Sequence, residues 1–108
     1  MTHKPVVLRQ TAHDDVVSAV EHYRAEGAAD AASRFIASLA EAVTAMSEMP
    51  QAGSPRFAHE FDIAEMRAWR VEGFSYLMFY VEQPDRVDVW RVLHARRDLG
   101  AWLEPEEE

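Results

Sequence analysis

The chain of 108 residues has no cysteine, one lysine and four glycines. Without cysteine there is no disulfide scaffold, no thiolate zinc site and no cysteine nucleophile. The glycines stand apart at Gly27, Gly53, Gly73 and Gly100, so no glycine-rich loop exists to cradle a phosphate. No apolar run approaches the roughly 20 residues that span a bilayer. No secretory hydrophobic segment follows the first residues, and the expected location is the cytoplasm. Positive charge is also scarce. Eleven Lys and Arg face nineteen Asp and Glu, a net charge of −8. Such a surface repels phosphate backbones, so no direct nucleic-acid binding is expected.

What is present is one globular domain's worth of apolar residues, 48% of the chain, and ten arginines against the single Lys4. Arginine makes planar, bidentate contacts with carboxylates and phosphates. The reading is a single domain over residues 1–103, followed by an acidic tail at 104–108 that carries four of the negative charges.

The hydropathy pattern predicts the order β-α-α-β-β-β. Residues 6–9 read as a strand after Pro5. Thr11, with Asp14 three residues on, reads as a helix cap. Val16, Val20 and Tyr23 form the stripe of the first helix, and Gly27 ends it. Ala32, Phe35, Ile36, Leu39, Val43 and Met46 form one continuous face of a second helix that stops at Pro50 and Gly53. Residues 66–71, 74–81 and 87–93 read as strands, separated by turn signals at Glu72-Gly73 and Gln83-Pro84-Asp85-Arg86. Residues 99–103 read as a short C-terminal helical turn. The expected class is α+β: a two-helix hairpin on a mainly antiparallel four-stranded sheet. Nothing local fixes where the first strand inserts.

Catalytic motifs fail on inspection. Gly73-Phe74-Ser75-Tyr76-Leu77 begins like a nucleophile elbow, but Leu77 replaces the second glycine. His59-Glu60 starts a zincin pattern that Ile63 breaks. The five histidines never fall three or four apart, so neither a metal nor another cofactor is expected. The informative segment is Arg91-Val92-Leu93-His94-Ala95-Arg96-Arg97-Asp98, where a strand ends among three arginines, a histidine and an aspartate. His94 suits acid–base work near neutral pH, and Arg91, Arg96 and Arg97 suit an anion. The same residues equally suit a structural ion-pair network at the strand end. Tyr76 and Tyr80 point to one sheet face; whether Arg67 joins them depends on register. Trp69, Trp90 and Trp102, with Phe74, Met78 and Leu103, exceed what two short helices cover. The surplus fits either a full core or a partner groove.

Three stretches together resemble the RelE/ParE toxins: Met66-Arg67-Ala68-Trp69, residues 73–80, and residues 89–99 with Arg-Val-Leu-His and Arg-Arg-Asp. The first helix, with Asp14-Asp15 and Tyr23, and the second, with Ala32, Phe35 and Leu39, agree over residues 6–99. The resemblance implies the toxin of a type II toxin–antitoxin module, neutralised by a ParD-like antitoxin that wraps the hairpin and the sheet. By that resemblance, Val16, Val20, Tyr23, Phe35, Leu39 and Trp102 are expected at the antitoxin interface. A basic antitoxin segment would suit the charge of −8. ParE-like members poison DNA gyrase; RelE-like members cut messenger RNA on the ribosome. The acidic balance and the lack of lysines in residues 51–63 favour the gyrase side, with Arg67, Arg91, His94, Arg96 and Arg97 as target contacts and no catalytic residue. On the ribonuclease alternative, Arg67, Arg91, His94 and Tyr76 would carry the chemistry. A non-toxic, antitoxin-binding member is the third reading.

Overall fold

Pro5 donates no amide to a ladder, and its carbonyl accepts from the Val87 amide at 2.8 Å, which starts a short strand, β1 (Val6–Leu8), alongside residues 87–89. In this computed structural model, which describes residues 3–98, the chain then turns at once into helix α1 (Gln10–Ala25). Arg9, not Thr11, is the cap residue. The reason is that the Arg9 amide is bound to the Val89 carbonyl at 2.9 Å while the Thr11 hydroxyl donates to the Trp90 carbonyl. Helix α1 ends at Gly27 as expected. Gly27 has φ +74, its amide bonds the Arg24 carbonyl and the Ala28 amide bonds the Tyr23 carbonyl. This pair of bonds is the Schellman closure, which requires a left-handed residue.

Helix α2 (Ala29–Glu48) follows. Its buried face is Ala32, Phe35, Leu39, Ala42 and Met46. Ile36, expected on this face, is 47% exposed. A 3-10 turn (Pro50–Ala52) and a short helix α3 (Ala58–Phe61) lead into strands β2 (Arg67–Arg70), β3 (Tyr76–Glu82) and β4 (Val87–His94). The sheet order is β1-β4-β3-β2, with β1 parallel to β4 and the other pairs antiparallel. Among the described residues no helix is long and apolar enough to cross a membrane. The anticipated C-terminal turn at 99–103, with Trp102 and Leu103, and the acidic tail lie outside the described residues.

The sheet is packed on both faces. On one, Tyr76, Met78, Tyr80, Val87, Val89 and Val92 meet Phe35, Leu39 and Met46 of α2 and Ala12 and Ala19 of α1. On the other, Phe79, Val81 and Leu93 meet Phe57, Met66 and Ala68, with Phe61, Ile63 and Trp90 at the margin. This second layer answers the apparent apolar surplus. Met78 is fully buried, Trp69 and Phe74 pack on the helix side, and Trp90 packs on the other. The segment after α2, which carries no long periodic signal, supplies the missing cover.

The ladder between β3 and β4 carries an irregularity at Phe79/Tyr80. Phe79 pairs with Arg91 and Tyr80 with Val89, so Trp90 is the extra residue. A bulge re-aims the side chains beside it. Val89 and Val92, three apart, therefore both face the helices, and Arg91 reaches across to α1.

Candidate functional site at the end of the fourth strand

Strand β1 is too short to cover all of β4. Beyond Leu8, the outer edge of β4 is bonded instead by groups from α1 and from the chain's own continuation. The Val89 carbonyl takes the Arg9 amide, and the Trp90 carbonyl takes the Thr11 hydroxyl. The Val92 amide donates to Asp15 Oδ2 at 2.9 Å, and the His94 amide donates to Asp98 Oδ2 at 2.9 Å. Unpaired strand edges invite association with other chains; here side chains close the edge.

The charged residues of this segment are organised by that closure. Arg91 holds Asp15 through two parallel bonds of 2.8 and 2.9 Å. Both side chains are mostly buried, 29% and 15% exposed. His94 Nδ1 accepts the backbone amides of Arg96 (3.2 Å) and Arg97 (3.0 Å). That fixes the ring with its proton on Nε2. Arg97 donates to the Tyr76 hydroxyl at 3.0 Å and leans on Asp98 at 3.4 Å. Tyr76, itself buried, lies edge-on to His94 with centroids 5.2 Å apart. A cleft of about 420 Å³ lies against this corner, lined by Asp15, Tyr76, Arg91, Arg97 and Asp98.

Burial pushes the His94 pKa below its ordinary 6.5, and the Arg97 charge pushes the same way; Asp98 opposes them, and His22 and Arg96 also push it down. The native chain thus resists a proton that the unfolded chain accepts. Stability is expected to fall as pH is lowered through about 6.5 toward the native value, and to be insensitive to this group above 6.5. Urea denaturation of the wild type and of His94→Gln between about pH 7.5 and 5.5 measures it. The wild type loses more stability over that interval; equal losses would show that His94 takes no part.

Arg67 stands elsewhere. It pairs with Tyr80, whereas His94 pairs with Tyr76, and four strand residues separate those two tyrosines by about 13 Å. Its guanidinium donates to the Gly53 carbonyl at 2.8 Å. The Tyr80 hydroxyl donates to the Pro50 carbonyl at 2.6 Å and accepts the Gly53 amide at 3.1 Å. Burial holds the Tyr80 pKa above the usual tyrosine range. Arg67, Tyr80, Pro50 and Gly53 together form the clasp between α2 and β2. Arg67 and Tyr80 stand out in the sequence, but the clasp does not, because its remaining partners are backbone atoms.

The structure thus brings Tyr76, Arg91, His94, Arg97 and Asp98 to one corner and leaves Arg67 apart. Arg96 turns to the opposite face of the sheet, where with Arg56, Arg70 and Phe57 it lines a second cleft of about 370 Å³. Of the residues expected at a partner interface, Phe35 is inaccessible and Leu39 nearly so. Val16, Val20 and Tyr23 are partly buried against the core. Tyr23 packs on Phe35 and Phe74, and its pKa is raised by burial and by nearby Tyr76, with Arg97 opposing. The helices leave Val17 (42%) and Ile36 (47%) as their exposed large apolar side chains. Trp102 lies outside the described residues. Among the described residues no group of three His, Asp or Glu is arranged to hold a metal.

A family model described as "ParE toxin of type II toxin-antitoxin system, parDE" matches residues 6–99. A solved chain described as "Chromosomal ParDE TA system from P. aeruginosa" is similar with a TM-score of 0.70 and 13% identity, over 85% of this chain and 96% of that one. At that identity the likeness is one of fold. No curated protein matches in sequence.

Proposed function

The chain belongs to the ParE toxin family of type II toxin–antitoxin systems, and from that premise we propose that a ParD-like antitoxin holds it inactive and that, released, it binds DNA gyrase and stops replication. A binding role is supported over RNA cleavage by the state of the four side chains on which cleavage would rest. Arg67 belongs to the clasp, Arg91 is chelated by Asp15, the Tyr76 hydroxyl accepts from Arg97, and His94 Nδ1 is occupied by two amides. A general acid and base need a shared substrate atom within hydrogen-bond reach, and Arg67 stands about 13 Å along the sheet from the corner that holds the other three. The acidic charge of −8 also opposes docking among ribosomal phosphates.

The test is to titrate the purified chain into a gyrase supercoiling reaction and look for accumulated cleaved DNA. Cleaved complexes are the expected result. Intact supercoiling together with cleavage of translated messages would reverse the reading in favour of the ribonuclease. Inactivity in both assays would favour the non-toxic member.

For the antitoxin, the exposed Val17 lies on α1 with Val16, Val20 and Tyr23, and the exposed Ile36 lies on α2 next to Phe35. A charged residue on a buried apolar interface is costly. Val17→Asp, at an already exposed position, is expected to weaken ParD-like antitoxin binding by about tenfold or more, with the melting curve of the free toxin unchanged. Unchanged affinity by calorimetry would move the interface off α1.

A further inference from the structure

The cleft on the face away from the two long helices differs from the rest of this acidic molecule. Its lining includes Arg56, Arg70 and Arg96 and no aspartate or glutamate. Tyr76 lines this cleft as well as the other, but in the other Arg91 and Arg97 are matched by Asp15 and Asp98. Arg56, Arg70 and Arg96 are exposed and take part in none of the ion pairs among the described residues. They are nonetheless held. Arg56 lies over the Phe57 ring at 4.9 Å and its amide is fixed by the Ser54 hydroxyl. Arg70 is in β2, and the Arg96 amide is bonded to His94.

Beside these cations the cleft has an apolar floor of Phe57, Ala68 and Leu77. It also has a backbone edge. Ala68 gives both its amide and its carbonyl to Ser54, at 2.8 and 2.9 Å, on the outer side of β2. The Val71 amide turns inward to the Tyr76 carbonyl. Antiparallel ladders alternate, so Arg70, between them, turns its amide and carbonyl outward as Ala68 does, and no backbone partner among the described residues meets them.

We propose that this cleft binds an extended acidic peptide segment of a protein partner, with its carboxylates on Arg56, Arg70 and Arg96, an aliphatic side chain on the floor and its backbone on the free edge of Arg70. Charge complementarity selects an acidic ligand, and strand addition supplies sequence-independent bonds. A peptide is favoured over a nucleic-acid strand for two reasons. Only a peptide uses the Arg70 backbone pair. A polyphosphate would meet the repulsion of the whole charge of −8, whereas a peptide with two or three acids meets little of it. The surface is distinct from the exposed helical residues offered above to an antitoxin, and the inference does not depend on gyrase being the target.

The test is fluorescence anisotropy on the full chain with three labelled probes. One is a short peptide of alternating glutamate and leucine, the second has glutamine in place of glutamate, and the third is single-stranded oligothymidylate. The glutamate peptide is expected to bind about tenfold or more tightly than the glutamine peptide, the factor expected of one charge-assisted hydrogen bond. Arg70→Gln and Arg96→Gln are each expected to weaken it by a similar factor. Arg34→Gln, exposed on α2 and outside the cleft, leaves it unchanged. All three positions are exposed, and circular dichroism checks that the fold is retained. Failure of the glutamate peptide to bind, binding indifferent to Arg70 and Arg96, or tighter arginine-dependent binding of the oligonucleotide would each overturn the proposal.

Discussion

Gly53→Ala is expected to cost about 3 kcal/mol or more of folding stability, a large share of the roughly 5–15 kcal/mol that holds such a domain. The cause is space, not backbone freedom. Gly53 has φ −67 and ψ 158, an extended conformation open to any residue. A methyl group there would overlap the Tyr80 hydroxyl and come within 2.8 Å of its Cζ. Tyr80 is fully buried in the middle of β3, and close-packed interiors leave a ring little room to retreat. Moving it breaks the bonds to Pro50 and Gly53 and unsettles the contact of Arg67 with the same loop.

A double-mutant cycle separates this cause from a general loop effect. Tyr80→Phe alone is expected to cost about 1–3 kcal/mol, because it strands a buried amide and a carbonyl. In the Gly53→Ala background those bonds are already broken, so the same change costs much less. Urea denaturation measures all three variants. Strict additivity would show that Gly53 and Tyr80 do not act as one clasp.

The clasp also shows what the sequence could and could not convey. Elements written in apolar periodicity were legible: the stripe from Phe35 through Leu39 to Met46, the apolar run of β3, and the stop at Gly27. Three features are not written that way. The Thr11 cap failed because Thr11 and Arg9 are spent on β4, about 80 residues away in sequence, a partner no local pattern reveals. The bulge at Trp90 failed because β4 reads as an unbroken strand; only the three-residue spacing of Val89 and Val92, both apolar, hinted at it. The second apolar layer failed because Phe57, Phe61 and Ile63 belong to a segment with one turn of helix, too short to carry a period. The site divided in the same way. Crowding of charge after β4 was legible, and so was the choice between ligand binding and a structural network. That Asp15 is the mate of Arg91 was not, because the two are 76 residues apart. That Arg96 leaves the cluster for the opposite face was not, because its direction is set after the strand has ended.

The largest effect at that corner is expected from Asp15→Ala, which should cost about 3 kcal/mol. The carboxylate does two jobs. It holds Arg91 bidentately, and it accepts the amide of Val92, a residue 1% exposed. Its loss takes the carboxylate from a mostly buried guanidinium and leaves a buried amide unsatisfied, the two costs that make such deletions severe. Asp15→Asn is expected to fall between, since its carbonyl oxygen still accepts one of these bonds while the charge is gone. Asp98→Ala should cost less, because Asp98 and Arg97 are more exposed, 34% and 49%, and such pairs are weakened by solvent. Hydrogen exchange adds a local readout. The Val92 amide is expected to lose protection in Asp15→Ala beyond what the global loss explains, since among the described residues the Asp15 side chain of α1 is what closes that stretch of β4. An opened edge is a template for pairing. Asp15→Ala should therefore show concentration-dependent association by size-exclusion chromatography, and Asp15→Asn should show less. If Asp15→Ala is unstable but strictly monomeric, the ion pair stabilises the corner without serving as the guard of the edge.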